Sequence, residues 1–388
     1  MIKKLTASLV AATIACCSLP AFAADESENF IPAQKMEATP TKAIELSVEG
    51  AIALALENNP RVKAADSAIT SAKLSLEVAQ DSQKEFNQLS KYVNIPVKIS
   101  DGLETAYLKE GYYPYAAKVG VELAEKSKEQ VVAAVSYEVI EKYYNVKLME
   151  KLVAIGKTGL KLAEENETLM KEHFAAGFVA AIEVKNAENA VLQAKNSLSS
   201  YERTLLIATE SLKVSLQLDG TEYTLYLTDD ITIPQLPENT DALIENALNT
   251  RFDITAARKD YELKSELFNI TKRYLTDDTA LYHQAYSDYL NSEYTYNNAM
   301  KMIRLALGNE YTSILSAKDA IAVAENNLEV KQSLYDASKV KYDLGMITNI
   351  ELTAAMAELD GAKTELENAR VTYALAVIKF GYNTTIGL

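Results

Sequence analysis

The sequence predicts an all-α-dominated fold: two tandem repeats of long antiparallel coiled-coil helical hairpins forming part of an oligomeric α-barrel. At most a small β segment is expected, near residues 93–115. Three observations carry this reading. The chain repeats itself at a fixed offset, apolar residues recur with alternating three- and four-residue spacing, and turn signals are sparse enough to leave helices of about 60 residues.

Residues 1–23 read as a secretory signal. Lys3 and Lys4 give the positive start, Leu5 to Leu19 the apolar run, and Ala21-Phe22-Ala23 a small-x-small cleavage site. Cys16 and Cys17 are the only cysteines, and both lie inside it. Thr13 and Ile14 stand upstream where a lipoprotein signal usually has Leu, so no lipid anchor is expected. The exported chain is therefore held by packing and not by disulfides. Loss of the two signal lysines takes the formal charge from -15 to -17, which argues against nucleic acid, since that requires basic patches. No later segment reaches about 18 apolar residues, so no transmembrane helix is expected after the signal. Residues 24–45 read as a flexible polar leader.

Repeat 1 spans 46–218, a linker 219–240, and repeat 2 241–388. Each repeat carries the same phrase. His173-Phe174-Ala175-Ala176-Gly177-Phe178-Val179-Ala180-Ala181-Ile182-Glu183-Val184 matches Lys341-Tyr342-Asp343-Leu344-Gly345-Met346-Ile347-Thr348-Asn349-Ile350-Glu351-Leu352 at an offset of 168 residues. The offset persists into the next helix. Leu352, Ala355, Leu359, Ala362, Leu366, Ala369, Tyr373, Ala376 and Phe380 alternate by three and four, as do Val184, Ala187, Val191, Ala194, Leu198, Tyr201, Leu205, Ala208 and Leu212. A spacing sustained this long is a coiled-coil seam, because an ordinary amphipathic stripe drifts off a 3.5-residue repeat.

At the repeat starts, Ala53 to Ala65 matches Glu245 to Ala257 at an offset of 192, so repeat 1 holds 24 residues that repeat 2 lacks. They are mainly a β-prone insert, 93–115. There Val93-Asn94-Ile95-Pro96-Val97-Lys98-Ile99 alternates apolar and polar before Ser100-Asp101-Gly102, a strand-and-turn signal. Gly111 and Pro114 interrupt the segment after it. In repeat 2, Leu275 to Thr279 offers only a tight turn. Each repeat then reads as a short helix (about Val48–Glu57, capped by Ser47; Asp241–Asn249), a medium one (Arg61–Lys91; Phe252–Tyr274), a long one (Ala116–Ala176; Thr279–Leu344) and a second medium one (Ala181–Leu218; Asn349–Phe380). Within the linker, Thr224-Leu225-Tyr226 and Ile231-Thr232-Ile233 are strand candidates.

A 60-residue helix is roughly 90 Å long. The two medium helices together nearly match it, so they stack beside it and turn back at Gly177 or Gly345, which tolerate the positive φ that ends a helix. Ring closure of identical copies covers the remaining apolar stripes.

The Ala-Leu-x-Asn-Asn-Pro opening at Ala55 to Pro60, the Tyr143-Tyr144-Asn145-Val146 run, the Gly-x4-Ile-Glu turn and the tandem repeat together resemble the TolC-like outer-membrane efflux proteins. The resemblance covers about residues 46–383. It implies a homotrimer whose helices form a trans-periplasmic tunnel, a location in the outer membrane and periplasm, and docking to a periplasmic adaptor and an inner-membrane transporter. The function so implied is a passive conduit subunit for efflux or type I secretion. The family also implies a β-barrel with two hairpins per subunit. Here the second repeat lacks its hairpin and the first has at most one. Three such subunits supply about six strands, below the bacterial minimum of about eight. Either the barrel is reduced or the tube does not span the outer membrane, which leaves a non-conducting structural coiled-coil envelope protein as the alternative.

No catalytic, metal or cofactor residues are expected. His173 and His283 fall at non-equivalent places in the repeats, and no phosphate loop or nucleophile motif is present. Gly177 and Gly345 are the expected tip turns. Glu183 and Glu351, just past them, are candidates for an acidic ring at the aperture. The same acids also fit the positive end of a helix dipole.

Overall fold

The computed structural model describes residues 42–98, 102–218 and 223–388. The expected signal, most of the leader, the Ser100-Asp101 part of the turn signal and the start of the linker lie outside the described residues. Strand β1 (Lys42–Leu46) is followed by helices α1 (Val48–Asn58), α2 (Pro60–Leu89), α3 (Glu104–Lys109), α4 (Tyr112–Ala175) and α5 (Ala181–Ser215). Strand β2 (Tyr223–Leu227) precedes α6 (Thr240–Thr250), α7 (Phe252–Tyr274), α8 (Ala280–Asp343) and α9 (Asn349–Asn383).

The helix starts follow local chemistry. Ser47 caps α1, its side chain accepting the Gly50 N–H at 3.0 Å. Pro60 opens α2, where its missing N–H costs nothing. Pro114, expected to interrupt, instead sits in the first turn of α4, where backbone N–H groups are unpaired in any helix. The helix therefore starts earlier than Ala116.

The strand expectation near 93–115 is corrected. Residues 94–98 form no regular structure, and the described remainder of the insert is chiefly α3 and the start of α4. The described strands lie elsewhere. Residues 42–46, the end of the leader and the first residue of repeat 1, form β1, which pairs in parallel with β2 in the linker, Lys42 opposite Tyr223 and Leu46 opposite Leu227. Thr224-Leu225-Tyr226 is thus a strand, whereas Ile231-Thr232-Ile233 is not.

The chain divides into two compact units. Neither is one repeat: each draws helices from both. Unit 1 comprises Pro60–Val131 and Leu248–Ile303. In it α2 and α4 are tied by Lys73–Glu125 (3.2 Å) and Lys128–Asp66 (2.6 Å). Tyr261 of α7 stacks with Tyr296 of α8 and meets Tyr289 at a tilt. A cluster of Leu103, Ala106, Ile270 and Leu275, with Val97, Tyr107, Tyr112 and Tyr274 against it, closes the end where α2 gives way to α3 and α7 to α8.

Unit 2 comprises Lys42–Asn59, Val132–Ala247 and Arg304–Leu388. The buried Tyr143 of α4 locks the sheet in place, its hydroxyl donating to Leu46 O (3.0 Å) and accepting from Asp229 N (2.9 Å). The seam residues Leu352, Leu359, Ala362, Leu366, Tyr373 and Phe380 of α9 are buried. So are Ala187, Val191, Ala208 and Leu212 of α5, while Val184, Ala194, Leu198, Tyr201 and Leu205 are half-buried. A second set of apolar residues finds no cover. On α5 these include Leu192, Leu206, Ile207 and Val214, and on α8 Leu305, Val323, Val330 and Val340, all exposed. Among the described residues no helix is long and apolar enough to cross a membrane.

Candidate functional site

The two hairpin turns of unit 2 are built alike. Gly177 has φ +76° and Gly345 φ +70°. In the first, Gly177 N–H donates to Phe174 O (3.0 Å) and Phe178 N–H to His173 O (2.9 Å). In the second, Gly345 N–H donates to Tyr342 O (2.8 Å) and Met346 N–H to Lys341 O (2.8 Å). This pair of bonds is the Schellman closure, which satisfies the last carbonyls of a helix through one left-handed residue. In the first turn His173 and Phe178 also meet edge to face, 6.2 Å between ring centres, so this histidine packs against the turn. His283 likewise lies against a ring, Tyr282. Among the described residues no three metal-ligating side chains gather.

Past the turns the repeats diverge. Thr348 caps α9 in a reciprocal box: its N–H donates to Glu351 Oε2 (2.7 Å), and its hydroxyl accepts from Glu351 N–H (3.4 Å). The bond from the Thr348 backbone, then that from its side chain, hold the Glu351 carboxyl below its ordinary value. The equivalent cap position of α5 is Ala180, with no side chain to offer. Glu183 is thus released from capping and buries one carboxylate oxygen. It faces Tyr342, whose hydroxyl titrates higher than usual, first through burial and then through the Glu183 charge. The two acids that match in sequence therefore engage different partners.

The turns are joined to each other. The Tyr342 hydroxyl donates to Met170 Sδ at 3.0 Å, and Asn166 of α4 donates to the buried Asn349 of α9 at 2.8 Å. Beyond this joint both turns present apolar side chains to solvent: Phe178 (79 % exposed) and Ile182 on one, Met346 (69 %) and Ile350 on the other. These pairs are equivalent at the offset of 168, a signal that was available in the sequence but hidden behind the glycines and acids.

Deeper in unit 2, small residues of α4, Gly156 and Gly159, face Ala194 of α5 and Asp360 of α9 across a cavity of about 290 Å³. Asp360 lies directly over Gly159, where a β-carbon would collide with its carboxylate. Burial raises the Asp360 pKa above its ordinary value, partly opposed by Lys363 at 3.3 Å.

No sequence-family model matches the chain, and no curated protein aligns with it. Solved structures do match. The Campylobacter jejuni CmeC outer-membrane channel superposes with a TM-score of 0.64 at 14% identity, covering 96% of each chain. The open state of the Neisseria gonorrhoeae MtrE outer-membrane channel gives 0.65 at 13%, covering 88% of this chain and 89% of that one. CusC, described in terms of folding and transmembrane channel formation, gives 0.65 at 13%, covering 94% and 100%. The chain has the fold of these outer-membrane channels.

Proposed function

We propose that this protein is an exported subunit of an efflux or secretion conduit of the outer membrane and periplasm, making and breaking no bonds of its own. The observation that carries the reading is a fold match running through nearly the whole of both chains to an outer-membrane channel. The exposed stripes of α5 and α8 support a ring of copies, three by resemblance: one stripe on each of two helices allows a head-to-tail contact that closes on itself. The exposed Phe178, Ile182, Met346 and Ile350 are the natural seat for a periplasmic adaptor, which in turn engages an inner-membrane transporter. Gly177 and Gly345 set the geometry of that seat. Glu183, with its one buried and unbonded oxygen, and Glu351, as a cap, add negative charge near the turns.

Deletion of the gene is expected to raise intracellular accumulation of a fluorescent efflux substrate, with recovery on complementation. Replacing both Glu183 and Glu351 with Gln is expected to lower the cation preference of the channel in planar bilayers. If deletion changes no accumulation and the purified protein conducts nothing, the conduit reading falls. The alternative, a non-conducting coiled-coil envelope protein, would then take its place; the strandless 94–98 segment is the observation in its favour.

A further inference from the structure

We propose that the end of unit 1 where α2 gives way to the insert is a membrane-surface contact that takes anionic lipid headgroups. After α2 the chain folds through tight turns, with Tyr92 N–H and Val93 N–H both donating to Leu89 O. This leaves Tyr92 87 % exposed, Val93 59 % and Leu89 49 %. The exposure is not that of a loose loop. Phe86, one turn before, is buried, and Val97, four residues later, packs on the Leu103–Ile270 cluster. The next corner is pinned as well: Gln83 donates to Leu108 O at 2.7 Å, and Glu110 accepts from Arg273 and from the Tyr274 hydroxyl. Three apolar side chains are thus held outward beside a packed core.

Charge narrows the partner. Between Phe86 and Lys98 the only charged residues are the exposed Lys91 and Lys98, with Glu85 just before the segment, in a chain whose formal charge is -15. A tyrosine with an apolar body and polar tip, adjacent aliphatic residues and flanking lysines form the combination that settles at a headgroup boundary. Such a patch is shallow and binds weakly alone, with each lysine adding attraction to an anionic leaflet. Repetition around a ring of copies multiplies it, and to that extent the proposal rests on the conduit reading. The insert then meets the membrane from one side, without strands through it.

The test is flotation of the full exported protein with vesicles of phosphatidylglycerol and phosphatidylethanolamine, against vesicles of phosphatidylcholine. Flotation with the anionic vesicles is expected, weakening as salt rises. Tyr92→Ser with Val93→Ser is expected to reduce it at least fivefold, and Lys91→Gln with Lys98→Gln to abolish the preference for anionic lipid. The chain has no tryptophan, so Tyr92→Trp supplies a single reporter. Its emission is expected to shift to the blue on adding anionic vesicles. No flotation by the unaltered protein, flotation unchanged in the variants, or no blue shift in Tyr92→Trp would each overturn the proposal. So would loss of oligomer without loss of flotation in Tyr92→Ser with Val93→Ser, which would make the patch a contact between copies. Failed flotation alongside restored efflux sinks the lipid contact alone; intact flotation without any accumulation phenotype sinks the conduit reading alone.

Discussion

Asp360 shows how a single side chain sets a pH response. Its folded-state pKa is raised, so between the ordinary aspartate value and that raised value the folded chain holds a proton the unfolded chain has lost. Stability is therefore favoured below the ordinary value and declines as pH rises through the folded one. Asp360→Asn keeps the shape without the charge. Its melting temperature, followed by circular dichroism, is expected to exceed that of the parent at pH 7, and the difference to vanish below about pH 4. Lys363 loses a partner in this variant, but pairs with this much exposure contribute only about 0–1 kcal/mol. A lower melting temperature at pH 7 would show that the pair outweighs the burial cost.

At the scale of an element, the two hairpins offer an internal control. Ala180 (φ -80°, ψ 156°) and Thr348 (φ -79°, ψ 159°) have the same backbone, yet only Thr348 can cap. Ala180→Thr, at an exposed position, is expected to complete the box with Glu183 and to stabilise the protein by about 1 kcal/mol in urea unfolding. Thr348→Ala is expected to cost about the same. The turns themselves demand glycine. Gly345→Val forces a β-branched residue to φ +70° and is expected to cost about 1–3 kcal/mol by the same measurement. The turn was legible in the residues, because it rests on interactions within five positions. The divergence of Glu183 from Glu351 was not: it turns on one missing hydroxyl and on Tyr342 of the other repeat.

At the scale of the molecule, the covered and uncovered stripes separate folding from assembly. Val323 and Val330 are exposed and seven residues apart on α8, so they share a face in any coiled-coil contact. The proposed ring predicts an oligomer in sedimentation velocity, and Val323→Glu with Val330→Glu is expected to leave helicity intact and give a monomer. An unchanged oligomer would place the contact between copies elsewhere.

Helix lengths, the doubled seam and the turn positions were determined by the sequence alone, because period, caps and glycines act over one or two helical turns. The strands show the limit. Val93 to Ile99 alternates with period two, yet its described part, 93–98, forms no strand, since alternation names two faces but supplies no partner. Lys42–Leu46 lies in an unpromising polar leader and is a strand because Tyr223–Leu227 pairs with it from far along the chain, held by Tyr143. Tertiary structure also decided that the compact units cut across the repeats. The equivalent helices α5 and α9, one from each repeat, meet in unit 2, and that pairing is made in space, not along the chain.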